Sequence, residues 1–286
     1  MKRAVNATLQ RLTGYQLRKA GAPVRRQPPA SGSRLLTRPA FVLCTVRSGS
    51  TLLRMLLDSH SQIHAPHEVH LRDFGVEVRS KYAERSLAEM RLDREELEHV
   101  LWDWMLHQEL ARAGKRLLVN KTPSDVFIAD RLLECWPDAR FIFLLRHPLA
   151  IARSRHELRP QDSAERNHEM VLRYADALEA ARAKHPGLTV RYEELAADPA
   201  RVTRELCAFL GVEWEERMLD YGRFEHGNLR AGLGDWKDRI RAGKVLPPAP
   251  LPAPDEVPAD LRPIAAAWGY LPTSAPSRTG TSGTRS

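Results

Sequence analysis

A chain of 286 residues that is 43% hydrophobic has the length and apolar content for one large α/β domain with decorations, and no apolar run approaches the roughly 18 residues a membrane-crossing helix needs. Its net charge of +8 is unevenly spread: residues 1–40 carry nine Lys/Arg and no acid, residues 271–286 carry two more, and the interior holds 33 basic against 36 acidic residues, a net of −3. Bulk charge therefore excludes a folded part built for nucleic acid, while three scattered cysteines, Cys44, Cys135 and Cys207, exclude a disulfide framework and fit a reducing, cytoplasmic setting.

Residues 5–20 place Val5, Leu9 and Leu12 at helical spacing among Arg11, Arg18 and Lys19. A solvated arm, an amphipathic helix with weak contact to an anionic membrane surface, and an acid-free transit peptide all fit this pattern. "APVRRQPPASGSR" reads as a linker, so residues 1–39 form an arm, residues 40–270 the domain, and the Ser/Thr/Gly-rich residues 271–286 a disordered tail.

The domain opens on "AFVLCTV", a buried-strand run, followed by "STLLRMLLDSH", a helix with Leu52, Leu53, Leu56 and Leu57 inward. Residues 93–113 form a long helix capped by Asp93 with Glu96 three positions on. "RLLVN" (116–120) is a strand, "SDVFIADRLLECW" a helix capped by Ser124, and "RFIFLLR" (140–146) the strongest strand of all. Helices follow from Pro148 and over 163–184, then a strand "LTVRYEEL", then helices near 199–210 and 213–221. Strands separated by helices predict a phosphate-loop-like, doubly wound parallel sheet with helices on both faces.

Between the first strand and its helix lies "RSGST", a turn of small residues at a helix N-terminus, which is an anion site by its backbone N–H groups and dipole. Aligned on the triphosphate pattern G-x-x-x-x-G-K-[ST] through Gly49, it puts Cys44 at the first glycine, Ser50 at the lysine and Thr51 at the Ser/Thr position. The cradle is kept and the grip on β- and γ-phosphates is gone. Arg47 instead supplies a fork of donors suited to a single phosphate or a sulfonate. "LLRHPLAIARS" ends the strongest strand in Arg146 and places Ser154 two turns into the next helix, a second anion site, and "VNKTP" ends a third strand in Lys121. Open parallel sheets bind ligands at these carboxyl ends.

These motifs resemble those of sulfotransferases that use 3′-phosphoadenosine 5′-phosphosulfate. "RSGSTLL" is similar to their 5′-phosphosulfate loop (Arg47, Ser48, Gly49, Ser50, Thr51, Leu52), and "RHPLAIARS" to their 3′-phosphate motif (Arg146, Ser154). "VRYEEL" with Tyr192 resembles the segment near the adenine, and "LRAGLGDWK" with Arg230 a late loop over the nucleotide. The loop carries Arg47 where cytosolic animal members carry lysine, and the late loop lacks their "RKG" triplet, so the likeness is to the bacterial and carbohydrate-type branch. The resemblance implies in-line attack of an acceptor hydroxyl or amine on sulfur, with Arg47 and Lys121 meeting the charge that builds on the leaving oxygen, and with no metal, because the donor carries its own activated bond. A small-molecule, lipid or carbohydrate acceptor is implied, with residues 69–115 as the wall against which it lies.

The general base is sought in "SQIHAPHEVHL", where His64, His67, Glu68 and His70 crowd about twenty residues after Arg47. Histidine titrates nearer neutrality, but family members often place a glutamate at this distance. The reading therefore takes Glu68 as base with His67 or His70 orienting it. Two other classes compete: a triphosphate-dependent kinase, which Ser50 in the lysine position opposes, and a non-catalytic nucleotide-binding scaffold.

Overall fold

The computed structural model describes residues 34–226, 240 and 242–272. Arg230, the rest of the late loop, the N-terminal helical pattern and the tail from residue 273 lie outside the described residues. Five strands, β1 (Ala40–Cys44), β2 (Ile63–His64), β3 (Leu117–Lys121), β4 (Arg140–Leu145) and β5 (Gly187–Arg191), form one sheet in the order β2-β3-β1-β4-β5. Every pairing is parallel. β1 is central, with Val42 opposite Lys121 on one side and Ile142 on the other. The chain crosses over β1 in passing from β3 to β4, so strand order reverses beside β1, and that is where an open sheet leaves a crevice at its carboxyl edge.

The side-chain alternation of β1 divides the interior into two layers. Phe41 and Leu43 face one core, with Trp102, Leu106, Trp136, Ile151, Val171, Leu178 and Trp268. Ala40, Val42 and Cys44 face the other, with Leu53, Leu56, Leu57, Leu195, Leu206 and Tyr221. Burial on both faces explains why β1 and β4 are continuous apolar runs. The predicted helices appear as α1 (Ser50–Asp58), α3 (Arg94–Ala113), α4 (Ala129–Cys135), α5 (Pro148–Leu158), α6 (Ala164–Lys184) and α8 (Pro199–Leu210). Asp93 caps α3 by accepting from the Glu96 N–H at 2.9 Å. Asp103, buried in the middle of α3, accepts from the Leu35 and Leu36 N–H groups and from Trp136 Nε1, so residues 34–36 are bound to the body. No helix among the described residues is long and apolar enough to cross a membrane.

Three expectations needed correction. The strand expected through Leu195 stops at Arg191, and Tyr192 opens a helix, α7 (Tyr192–Ala197). β4 offers its last pairing at Leu145, opposite Arg191, and Glu193 and Glu194 then suit the first helical turn. Ser124 is not a cap: residues 123–128 wind as a 3-10 turn, which drops Val126 and Ile128 into the core while holding Asp125 over Asn120, and α4 starts only at Ala129. The helix expected near 213–221 is two short 3-10 turns. Two further helices carried no sequence signal that was read: α2 (Lys81–Glu89), which has no buried residue, and α9 (Arg262–Ala267), whose Ile264 and Ala265 complete the Phe41 core.

Candidate active site

The turn after β1 is shaped by backbone conformations that few residues adopt. Arg47 has φ 64° and Gly49 φ 84°, and a Cβ on Gly49 would lie 2.1 Å from the Tyr192 ring. Only glycine fits, because both the left-handed backbone and the tyrosine require it. α1 begins at Ser50 with no side-chain cap, so its first N–H groups are left to the turn. Ser48, Ser50 and Thr51 are buried in the turn and Leu52 packs into the core. The Thr45 hydroxyl is buried without a hydrogen-bond partner among the described residues. Turn, helix start and orphan hydroxyl together fit a phosphate-sized anion.

Arg146 leaves β4 and donates to the Arg47 carbonyl at 2.7 Å, while its guanidinium lies 4.7 Å from the Tyr192 ring centroid. Arg47 Nε donates to Ser154 Oγ at 3.2 Å. The two anion sites expected from the motifs therefore form one continuous patch: Arg47 belongs to the first loop yet touches the serine of the second motif. Tyr192 lies between Gly49 and Arg146.

The neighbouring Glu193 was not singled out in the sequence, although it stands in the same "YE" pair. Its carboxylate accepts from the His147 N–H at 3.0 Å and from the Tyr270 hydroxyl at 2.6 Å, tying α7, the start of α5 and the segment after α9 behind Arg146. Burial lowers the His147 pKa, with Glu193 opposing and Arg153 and Arg146 assisting. Burial, Glu193 and their hydrogen bond all raise the Tyr270 phenol.

At the carboxyl end of β3, Lys121 is fully buried and donates through Nζ to Glu68 Oε1. His70 Nε2 stands 3.6 Å from the other Glu68 oxygen. Thr122 Oγ1 accepts from the Val69 and His70 N–H groups at 3.1 and 3.4 Å, fastening the segment that carries Glu68 to the strand that carries Lys121. Thr122 was quoted in "VNKTP" without a role, and its place beside Lys121 was the signal. Of the other histidines, His64 pairs with Asp58 at 3.3 Å and Glu109 at 3.9 Å, and His67 is exposed. The structure brings together Glu68, Lys121 and His70; it leaves His64 and His67 outside that group.

Below this layer Asn120 Nδ2 donates to Asp125 Oδ2 at 2.7 Å. Burial pushes the Asp125 carboxyl up to about 8, with the Asn120 bond opposing and Glu68 adding to the rise. Cys44 is likewise pushed up to about 11 by burial, against the pull of Lys121, which leaves it an inert thiol.

Residues 39–216 match the family model described as "Sulfotransferase family". The nodulation protein NoeE of Sinorhizobium fredii is 34% identical over 208 residues, covering 60% of this chain and 50% of NoeE. Protein-tyrosine sulfotransferase 2 of Gallus gallus is 24% identical over 198 residues, covering 63% of this chain and 53% of its own. This chain spans about half the length of those curated relatives. Among solved structures, the sulfotransferase domain of the Synechococcus PCC 7002 olefin synthase superposes with a TM-score of 0.60 at 27% identity, covering 85% of this chain and 98% of that domain. The sulfotransferase domain from the curacin biosynthetic pathway shares the fold, with a TM-score of 0.59 at 23% identity and coverage of 82% and 98%.

Proposed function

The chain belongs to the sulfotransferase family, and on that premise we propose that it moves a sulfuryl group from 3′-phosphoadenosine 5′-phosphosulfate to a hydroxyl or amine of a small-molecule, lipid or carbohydrate acceptor. The names of the tyrosine sulfotransferases add a peptide phenol to that range. The observation that carries the reading is the buried Lys121 bound to Glu68, on the strand next to the one that leads into the Arg47 turn.

In this reading the turn from Arg47 to Leu52 holds the 5′-phosphosulfate, Arg146 and Ser154 hold the 3′-phosphate, and Tyr192 flanks the nucleotide, with Arg230 as a further contact. The acceptor oxygen forms its bond to sulfur as the bond from sulfur to the bridging oxygen breaks. The acceptor proton passes to Glu68, and adenosine 3′,5′-bisphosphate leaves. Lys121, Arg47 and the turn N–H groups face the charge that gathers on the bridging oxygen, fixed before the reaction begins, which is how preorganised donors lower a barrier. His70 and Lys121 keep the Glu68 carboxylate oriented. A kinase reading would need a lysine where Ser50 stands.

Calorimetry tests the reading. Adenosine 3′,5′-bisphosphate should bind more tightly than adenosine 5′-monophosphate by about 10- to 150-fold, the equivalent of one charge-assisted contact of about 1.5–3 kcal/mol. Arg146→Ala should erase most of that difference. Equal affinities in the wild type, or tighter binding of magnesium–ATP, would overturn it.

A further inference from the structure

The segment carrying Glu68 continues into the 3-10 turn Leu71–Asp73, which sets Arg72 on the surface four residues beyond Glu68. The Arg72 guanidinium lies 4.9 Å from the centroid of the Phe127 ring. Arg173, from α6, reaches the same ring at 5.2 Å. Their charged carbons are thus at most about 10 Å apart, the sum of the two distances. Phe127 stands edge-on to Tyr174 at 4.7 Å. Both arginines are exposed, and among the described residues neither has an ion-pair partner; Asp73, next in the chain, faces His70 at 3.9 Å instead.

Two like charges held on one ring repel each other, and an exposed cation–π contact is worth only about 0.5–1 kcal/mol. What the arrangement does provide is two planar forks of donors, each suited to a carboxylate, phosphate or sulfate oxygen pair. Thr122 accepts from the Val69 and His70 N–H groups next to Glu68 and opens the turn that carries Phe127. The ring that gathers the two arginines is therefore fastened to the segment that carries Glu68. The donor-binding motifs sit elsewhere, at the ends of β1 and β4.

We infer that Arg72 and Arg173, gathered on Phe127, form an anion subsite for the acceptor, and that the acceptor carries a carboxylate, phosphate or sulfate group close to the atom that is sulfated. The inference rests on the transfer reaction proposed above. A small acid and an acidic side chain flanking a peptide hydroxyl present the same chemistry, and the test separates them.

With the protein saturated by adenosine 3′,5′-bisphosphate, calorimetry compares two matched pairs: 4-hydroxyphenylacetate with 4-hydroxyphenylacetamide, and an acidic tyrosine peptide with its glutamine-substituted counterpart. In at least one pair the anion should bind about tenfold or more tightly, the scale of one charge-assisted contact. That preference should vanish in R72A/R173A and persist in R166A/R204A, which loses the same charge from exposed helix positions outside residues 69–115. The pair that shows the preference identifies the source of the anion. Equal or absent binding within both pairs, or a preference that survives R72A/R173A, overturns the inference. A wild-type protein that fails to bind the bisphosphate instead overturns the transfer reading itself.

Discussion

The proposed donor side of the crevice and α2, within the proposed acceptor wall over residues 69–115, are built on opposite principles. On the donor side, the turn after β1, Arg146, Tyr192 and Glu193 are held by the sheet, by positive-φ backbone and by hydrogen bonds between side chains and backbone. On the wall, α2 buries none of its residues, and Tyr82 is 80% exposed. Glu68 stands where the two meet, fastened to the rigid side by Lys121 and Thr122. In the proposed reaction the nucleotide is one constant ligand and rewards a preformed site, whereas acceptors differ, and a helix as exposed as α2 can change without disturbing the sheet. The contrast predicts that substitutions on the proposed donor side cost both function and stability, and that those on the exposed helix α2 cost neither until they touch an acceptor.

Glu68→Gln, at the boundary, should show the largest effect, a loss of about 10²–10⁴ in turnover, the usual contribution of a positioned base, with bisphosphate affinity kept. Single-turnover transfer measures it, and His70→Ala should lose less. Normal turnover in Glu68→Gln with a dead His70→Ala would move the base to the histidine.

Two glycines test rigidity directly. Gly49→Ala forces a left-handed backbone and drives a methyl into Tyr192, for a cost of about 2–4 kcal/mol in urea unfolding and loss of bisphosphate binding. Gly114, at the end of α3, has φ 62° and nothing within 4 Å of its missing Cβ, so Gly114→Ala should cost only about 1–2 kcal/mol and leave binding intact. Equal costs would erase the distinction between the two regions.

Buried titration also separates them. The folded Asp125 keeps its proton to about pH 8, while an unfolded aspartate releases it near pH 4. The stability linked to this proton is complete below about pH 4 and is lost as pH rises through 8, at up to about 1.4 kcal/mol per pH unit. Asp125→Asn should flatten that part of the stability profile between pH 5 and 8; an unchanged slope would mean the carboxyl is ionised in the fold. The smallest effect belongs to the wall, where Tyr82→Ser should change unfolding free energy by no more than about 0.5 kcal/mol.

Much of the donor side was legible because it depends on local chemistry. An apolar run, a turn of small residues and a helix signal specify a strand, a tight turn and a helix start within a dozen residues, and the arginines after β1 and β4 announce themselves by position. The alternation of Phe41 and Leu43 with Ala40, Val42 and Cys44 carries the two-layer core in the same way. The choice of Glu68 among its histidine neighbours came from a resemblance in spacing, since side-chain chemistry by itself favoured histidine.

What only the tertiary structure decided is long-range. Tyr192 became a helix start because β4 runs out of pairing partners at Leu145, a limit set by the opposite strand. Arg47 meets Ser154, and Glu193 meets His147 and Tyr270, across separations of 107, 46 and 77 residues, so no local pattern records them. The sequence by itself determined which runs are buried strands and where a small-residue turn leads into a helix, because burial and turn geometry are read from neighbours along the chain. Which cation faces which carboxylate, and that Arg72 and Arg173 share one ring, was settled only by packing, because those contacts exist only once the sheet has ordered its strands.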